Sequence, residues 1–256
     1  MENQFPDITI DGQTITAKDH VAKGTKKAFL FAFLIASVSL LVGIVVTWGV
    51  LLIILLCYPI VSWFLEKRAM ALIHGSGVHI DENQFPEIFH CVETFKKRLG
   101  LEKDVEIYLM EDNVSNAFAV KYGKKDVILL TDDLIHGCLA SNNPHALSFV
   151  IGHELGHIAL NHTGLLRSWV GKNLKHLGRL DEYSADAVAL ALVEDKNIAF
   201  RGLLLLTVGY GMMRYVNLER LVEQSHEVAT NKLSKKAEKQ LTHPLLLNRL
   251  NKVVQA

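Results

Sequence analysis

Charge is missing from one long stretch of this chain: Ala28 to Leu65 contains no Asp, Glu, Lys, Arg or His. So long an uncharged run is hard to bury in a soluble core. As one straight helix it would extend about 57 Å, whereas bilayer hydrocarbon is about 30 Å thick. Two spans fit better, roughly 28–46 and 50–65, with Thr47-Trp48-Gly49 as a tight connection. Trp48 and Trp63 suit interfacial positions, and Pro59 is expected to kink the second span. Cysteine is also scarce. Cys57, Cys91 and Cys138 are isolated and odd in number, which gives no disulfide framework and favours a reducing compartment. Each is read as a small buried apolar residue. Neither sign of charge is in excess, with 27 Lys+Arg against 27 Asp+Glu, so there is no electrostatic ground for a nucleic-acid partner. Internal repeats and low-complexity tracts are absent as well, leaving 256 residues for one or two ordinary domains.

What is present starts with apolar residues, 50% of the chain, a share that suggests membrane association. The apolar pair does not fit a cleaved leader. A polar region of 27 residues precedes it, and Glu66-Lys67-Arg68 follows. Lys18, Lys23, Lys26 and Lys27 on one flank and Lys67 and Arg68 on the other imply a hairpin with both ends in the cytoplasm. Three parts are therefore expected: a polar segment 1–27, a transmembrane hairpin 28–65 and a soluble part 78–256. Before the hairpin, "DITIDGQTIT" alternates Ile8, Ile10 and Ile15 around Asp11-Gly12 and is expected to form a small β-hairpin. A later apolar run, Gly202 to Met213, is too short to span and is expected as a core helix, a third membrane contact being the alternative.

The soluble part has an α+β pattern. Ile88, Val92, Phe95 and Leu99 have helical spacing, and Gly100 ends that helix. Val105 to Met110 is a strand, and "NAFAVKY" and "DVILLT" flank Gly123-Lys124-Lys125 as a hairpin. A short helix is expected from Asp132 to about Cys138. Another runs from about Pro144 to His162, with Pro144 at its first position.

That last helix carries "HELGHIALNH". Residues four apart are about 40° apart around a helix, so His153 and His157 can face one metal. Glu154 is rotated by about 100° and can approach a metal-activated water without occupying a ligand place. The spacing is that of an H-E-x-x-H metallopeptidase motif. It would arise by chance in about 3% of chains of this composition, so a third ligand has to be found. His162 is five residues beyond His157, about 140° around, and is out of reach if the helix continues. It is expected to cap or border the helix end. Glu182, in "RLDEYSADAVALALVEDK", is the better candidate, with Asp181 and Glu194 as weaker ones. Glu182 would complete a His₂Glu set, and Asp186, four residues on, can accept the free N–H of a ligand histidine. Ala185, Ala187, Ala189 and Ala191 would let this second helix approach the first closely. The bland alternative is an amphipathic helix with solvated carboxylates.

Together, "HELGH", "EYSAD" and "THPLLLNRL" resemble the membrane-associated zinc peptidases that include the HtpX heat-shock protease and the type-1 CAAX prenyl endopeptidase. The resemblance covers roughly Val78 to Val254. It implies a mostly helical, zincin-like domain with a small β-sheet, a zinc cofactor and Glu182 as the third ligand. It also implies that "SNAFA" forms a strand above the cleft that pairs with bound peptide, which makes Asn116 a substrate-binding candidate. A turn residue at a strand start is the plainer reading of Asn116. His243, before Pro244, is a candidate to stabilise an oxyanion or border the zinc, or a surface histidine before a helix. Arg249 could pair with Asp186, hold the segment of His243, or be a plain surface arginine. The prenyl endopeptidases carry more spans than one hairpin supplies, and HtpX proteins usually carry further hydrophobic segments after the active-site helix. The expected activity is therefore a membrane-anchored zinc endopeptidase acting on protein or peptide substrates, with Glu154 as general base. An inactive peptide-binding module and a zinc exopeptidase are the rivals. Substrate and oligomeric state are not legible.

Overall fold

A computed structural model describes residues 5–112, 116–123, 125–164, 166–167, 170, 174–213 and 215–256. The described chain is α+β, mostly helical with one four-stranded sheet. Helix α1 (Thr25–Val46) and helix α2 (Val50–Ser76) form the apolar pair. The turn between them holds Trp48 at φ 52° and Gly49 at φ 83°. Both helices are long and apolar enough to cross a membrane, and most of their large side chains are exposed, Val45 at 76%, as is Trp48 in the turn, at 95%. The second helix runs eleven residues past the apolar stretch, to Ser76, and continues through Pro59. The pair is packed at its two ends, Ala28 and Ala32 of α1 against Val170, Leu177 and Leu180, and Ile73 of α2 against Tyr108, Val127 and Leu129.

The expected β-hairpin at residues 7–16 does not form. This segment is an extended strap whose isoleucines turn to the domain core instead of to each other. Ile8 is fully buried, and its carbonyl accepts the Ser148 hydroxyl at 2.5 Å. Arg98, itself buried, donates to Ile10 O at 3.2 Å and Gln13 O at 3.0 Å, and Ile15 N–H donates to Arg98 O at 2.8 Å. Gly12 is not in the positive-φ region that a tight two-residue hairpin turn needs. Its missing side chain instead admits Arg98 and Glu194. The strap ends in a 3₁₀ turn, Ala17–His20, and Ala22 N–H then donates to the Ser184 hydroxyl at 2.9 Å.

Strands β1 (Val78–His79), β2 (Val105–Met110), β3 (Ala117–Tyr122) and β4 (Lys125–Thr131) stand in the order β1-β2-β4-β3. The expected β3–β4 hairpin is antiparallel, with Phe118 opposite Leu129, while β2 and β4 are parallel. The two-residue β1 carried no sequence signal. β3 is an edge strand. Helix α3 (Pro86–Arg98) covers the core with Ile88, Cys91, Val92 and Phe95, all fully buried. Helix α4 (Asp132–Ala140) leads to α5 (His145–Ala159), which starts one residue after Pro144 and ends three short of His162. Then come α6 (Lys175–Val193), α7 (Lys196–Met213), α8 (Leu218–Thr230), α9 (Lys232–Glu238) and α10 (Leu246–Gln255). In α7, Leu203, Leu204 and Leu205 are fully buried as expected of a core helix. The helix breaks at Gly209, φ 67°, and Met212 beyond it is exposed.

Candidate metal centre

Two packed helices build the site, and small residues set their distance. Gly152 and Gly156 on α5, four apart, face Ala189 and Ala185 on α6. A Cβ on either glycine would lie 3.2 Å from the Cα of the facing alanine. Ala185 and Ala189 thus serve the close approach expected of them, while Ala187 and Ala191 line a separate cavity on the far side of α6. The sequence reading missed these glycines, although their four-residue spacing in "IGHELGH" puts them on one helical stripe.

This approach brings His153 and His157 to Glu182. The two Nε2 atoms are 3.1 Å apart. His153 Nε2 lies 3.6 Å from Glu182 Oε2, and His157 Nε2 lies 3.6 Å from Glu182 Oε1. Among the described residues these three form a cluster of donors that could hold a metal ion. Of the weaker alternatives, Asp181 is held by Arg167 and Glu194 by Arg98, both outside the cluster.

The other nitrogen of each histidine is occupied in a way that leaves Nε2 for a metal. His153 Nδ1 is 2.9 Å from Asp186 Oδ1, so an Nδ1–H donates to a carboxylate, as ligand histidines commonly do. Arg249 donates to the same carboxylate twice, at 2.8 and 2.6 Å, and its Nη1 lies 3.6 Å from Glu182 Oε2. Of the three expectations for Arg249, pairing with Asp186 is what the structure has. His157 Nδ1 is 3.0 Å from His162 Nδ1. His162 reaches there because α5 ends at Ala159, and the turn that follows carries the ring back. The expectation that His162 borders the helix end holds, and the sequence reading missed its contact with His157.

Electrostatics follow the geometry. Burial and the neighbouring His153 push the His157 pKa down to about 4, which keeps it neutral, the form a metal ligand needs. Burial opposes charge on His153, but bonded Asp186 outweighs this and leaves its pKa raised. Burial would also raise Glu182, yet His243, the two histidines and Arg249 hold it well below the usual carboxylate range. Glu154 moves the other way. It is buried, and burial raises its pKa.

Glu154 faces the sheet edge, where its Oε2 accepts the Ala119 N–H of β3 at 2.6 Å. A cleft of about 450 Å³ runs between them, bounded by β3, α5, α6 and the Leu206–Thr207 wall of α7. Asn116 lines it, but its Oδ1 accepts Ala117 N–H at 2.9 Å, the local role of a strand-start residue. His243 stands at the rim with 71% of its side chain exposed and Nδ1 3.2 Å from Glu182 Oε1. The hydrogen bond raises its pKa.

Residues 82–172 match the model of peptidase family M48. They include His153, Glu154 and His157, and Glu182 lies beyond them. A protease HtpX homolog of Leuconostoc citreum is 30% identical over 120 residues, covering 47% of this chain and 38% of that protein. A protease HtpX homolog of Methanocaldococcus jannaschii is 24% identical over 107 residues, covering 41% of this chain and 36% of that protein. The aligned part thus spans less than two fifths of either relative. No solved structure matches.

Proposed function

We propose that this chain, an HtpX-like member of peptidase family M48, is a membrane-anchored zinc endopeptidase with Glu154 as its general base. The observation that carries the proposal is the convergence of His153, His157 and Glu182 on one point beside Glu154. The two imidazole Nε2 atoms are 3.1 Å apart and each has one oxygen of Glu182 at 3.6 Å, and one donor atom from each residue lies within 4.8 Å of the others, close enough for the three to share a single ion. Two imidazoles and a carboxylate are a donor set of catalytic zinc, which leaves one position open.

A zinc ion held there supplies Lewis acidity and brings the pKa of a water down to about 7. Glu154 would accept a proton from the attacking water on a carboxylate oxygen and pass it to the leaving amine. Its burial and raised pKa suit a group that must both take and give a proton near neutral pH. Glu154 now accepts Ala119 N–H, so an entering peptide has to share or displace that bond. Ala117 and Ala119 lie on the outer edge of β3 above the cleft. An extended peptide laid along this edge would exchange main-chain hydrogen bonds with it and bring a scissile carbonyl over the metal-binding residues. His243 donates from Nδ1 to Glu182, a bond that favours its protonated form, and in that form Nε2 also carries a hydrogen to donate to the developing oxyanion. Asn116 shapes the start of the edge strand and need not touch substrate.

The strap and the soluble part share one core, since Ile8 packs with residues of α3 and α5. This supports a hairpin with both ends on the same side of a membrane, and the basic flanks favour the cytoplasmic side.

The test is Glu154→Gln. Full-length protein with this change is expected to keep its zinc and to lose cleavage of an unfolded protein by about 100-fold or more. Unchanged turnover would contradict the proposed role.

A further inference from the structure

His162 belongs to none of the roles above, yet it is enclosed, with 7% of its side chain exposed, and lies against a metal-binding residue. Its rings and contacts fix the direction of a hydrogen-bond chain. His157 turns Nε2 toward His153 and Glu182, so its Nδ1 carries the hydrogen. Among the described residues the partner of that hydrogen is His162 Nδ1, 3.0 Å away. His162 therefore accepts at Nδ1 and carries its own hydrogen on Nε2. Nε2 faces Asp181 Oδ1 at 3.5 Å, an electrostatic contact rather than a full hydrogen bond. Asp181, 10% exposed, is held in turn by Arg167, which donates from Nε to Oδ2 at 3.2 Å and from Nη2 to Oδ1. The Arg167 guanidinium rests 5.1 Å from the ring centre of Phe29 on α1.

A fourth ligand is the obvious alternative role for His162. The geometry speaks against it, because its Nδ1 addresses the outward nitrogen of His157 and its Nε2 addresses Asp181. His162 lines the same cleft but is not among the residues whose donor atoms cluster, which are His153, His157 and Glu182.

We propose that His162 is a positioning residue that sets the ring orientation of His157 for the metal, with Asp181 and Arg167 holding His162 in place. The two metal-binding histidines are then supported differently. His153 leans directly on Asp186, and His157 leans on a carboxylate through a second imidazole.

The inference rests on the metal-centre reading above, and the experiment separates the two. Full-length protein is purified in detergent as wild type, His162→Ala, His162→Gln and Asp181→Asn. Zinc affinity is measured by competition with a chromogenic chelator, and kcat and KM on an unfolded protein substrate. His162→Ala is expected to bind zinc about 10- to 100-fold more weakly, with kcat reduced and KM unchanged. His162→Gln can still accept from His157 and donate toward Asp181, so its affinity is expected to return to within about threefold of wild type. If His162→Ala does not fold, His162→Gln and Asp181→Asn carry the test, with the order wild type, Gln, Asn in affinity. Affinities of His162→Ala within twofold of wild type would overturn the proposal. So would a His162→Gln loss as large as that of alanine, or a lowered unfolding temperature with unchanged affinity. Wild-type protein that binds no zinc would remove both readings. Protein that binds zinc but cleaves nothing would remove only the peptidase, with the affinity series still deciding on His162.

Discussion

Arg249 illustrates how much one residue carries here. It bonds Asp186 twice and stands close to Glu182, so one cation compensates two buried carboxylates. Removing one partner of such a pair leaves an uncompensated charge. Arg249→Leu is therefore expected to lower stability by about 3–5 kcal/mol, measured by urea unfolding of metal-free protein. A loss below about 1 kcal/mol would show that the carboxylates find other partners. At this scale the sequence was legible where chemistry depends on spacing within one helix. His153, Glu154 and His157 follow from a period of 3.6, and so does the shared face of Glu182 and Asp186. It was not legible where a contact joins separate elements. The hydrogen bond from Ala119 to Glu154 needs the position of β3 over α5, which no local pattern encodes. His162 was placed by assuming that the helix continues, and its contact with His157 exists because the helix stops at Ala159.

Between elements, the decisive contact is α5 on α6. Gly152 and Gly156 let the backbone of α6 come near enough for Glu182 to meet both histidines. Gly156→Leu would force the side chain against Ala185 and Val188. It is expected to cost about 1–3 kcal/mol by overpacking and to weaken zinc binding as α6 moves away. Gly75→Ala on α2, with open space around its position, is the control and should not lower stability. Thermal unfolding of the two variants decides, and equal midpoints would contradict the account of the helix contact. The elements that departed from expectation did so for reasons of the same kind. Alternating isoleucines in residues 7–16 satisfy a strand pattern, but Ser148 and Arg98 pair the backbone that a second strand would have paired. The apolar run ends at Leu65 where charge begins, whereas the helix itself continues to Ser76 because no proline interrupts Glu66–Ser76.

For the whole molecule, the strap before α1 and the domain after α2 are one packed body, and the apolar pair leaves it and returns. Ser148 on α5 and Ser184 on α6 are both bonded to this strap, so the segment that leads into the apolar pair also braces the two helices that carry His153, His157 and Glu182. The central claim is that these helices assemble one zinc site from His153, His157 and Glu182. Its most direct test is the zinc content of full-length protein purified without added metal, compared between wild type and Glu182→Ala. The account predicts about one zinc per chain in the wild type and little in the variant, with folding retained by circular dichroism. Equal zinc in the two proteins would contradict it.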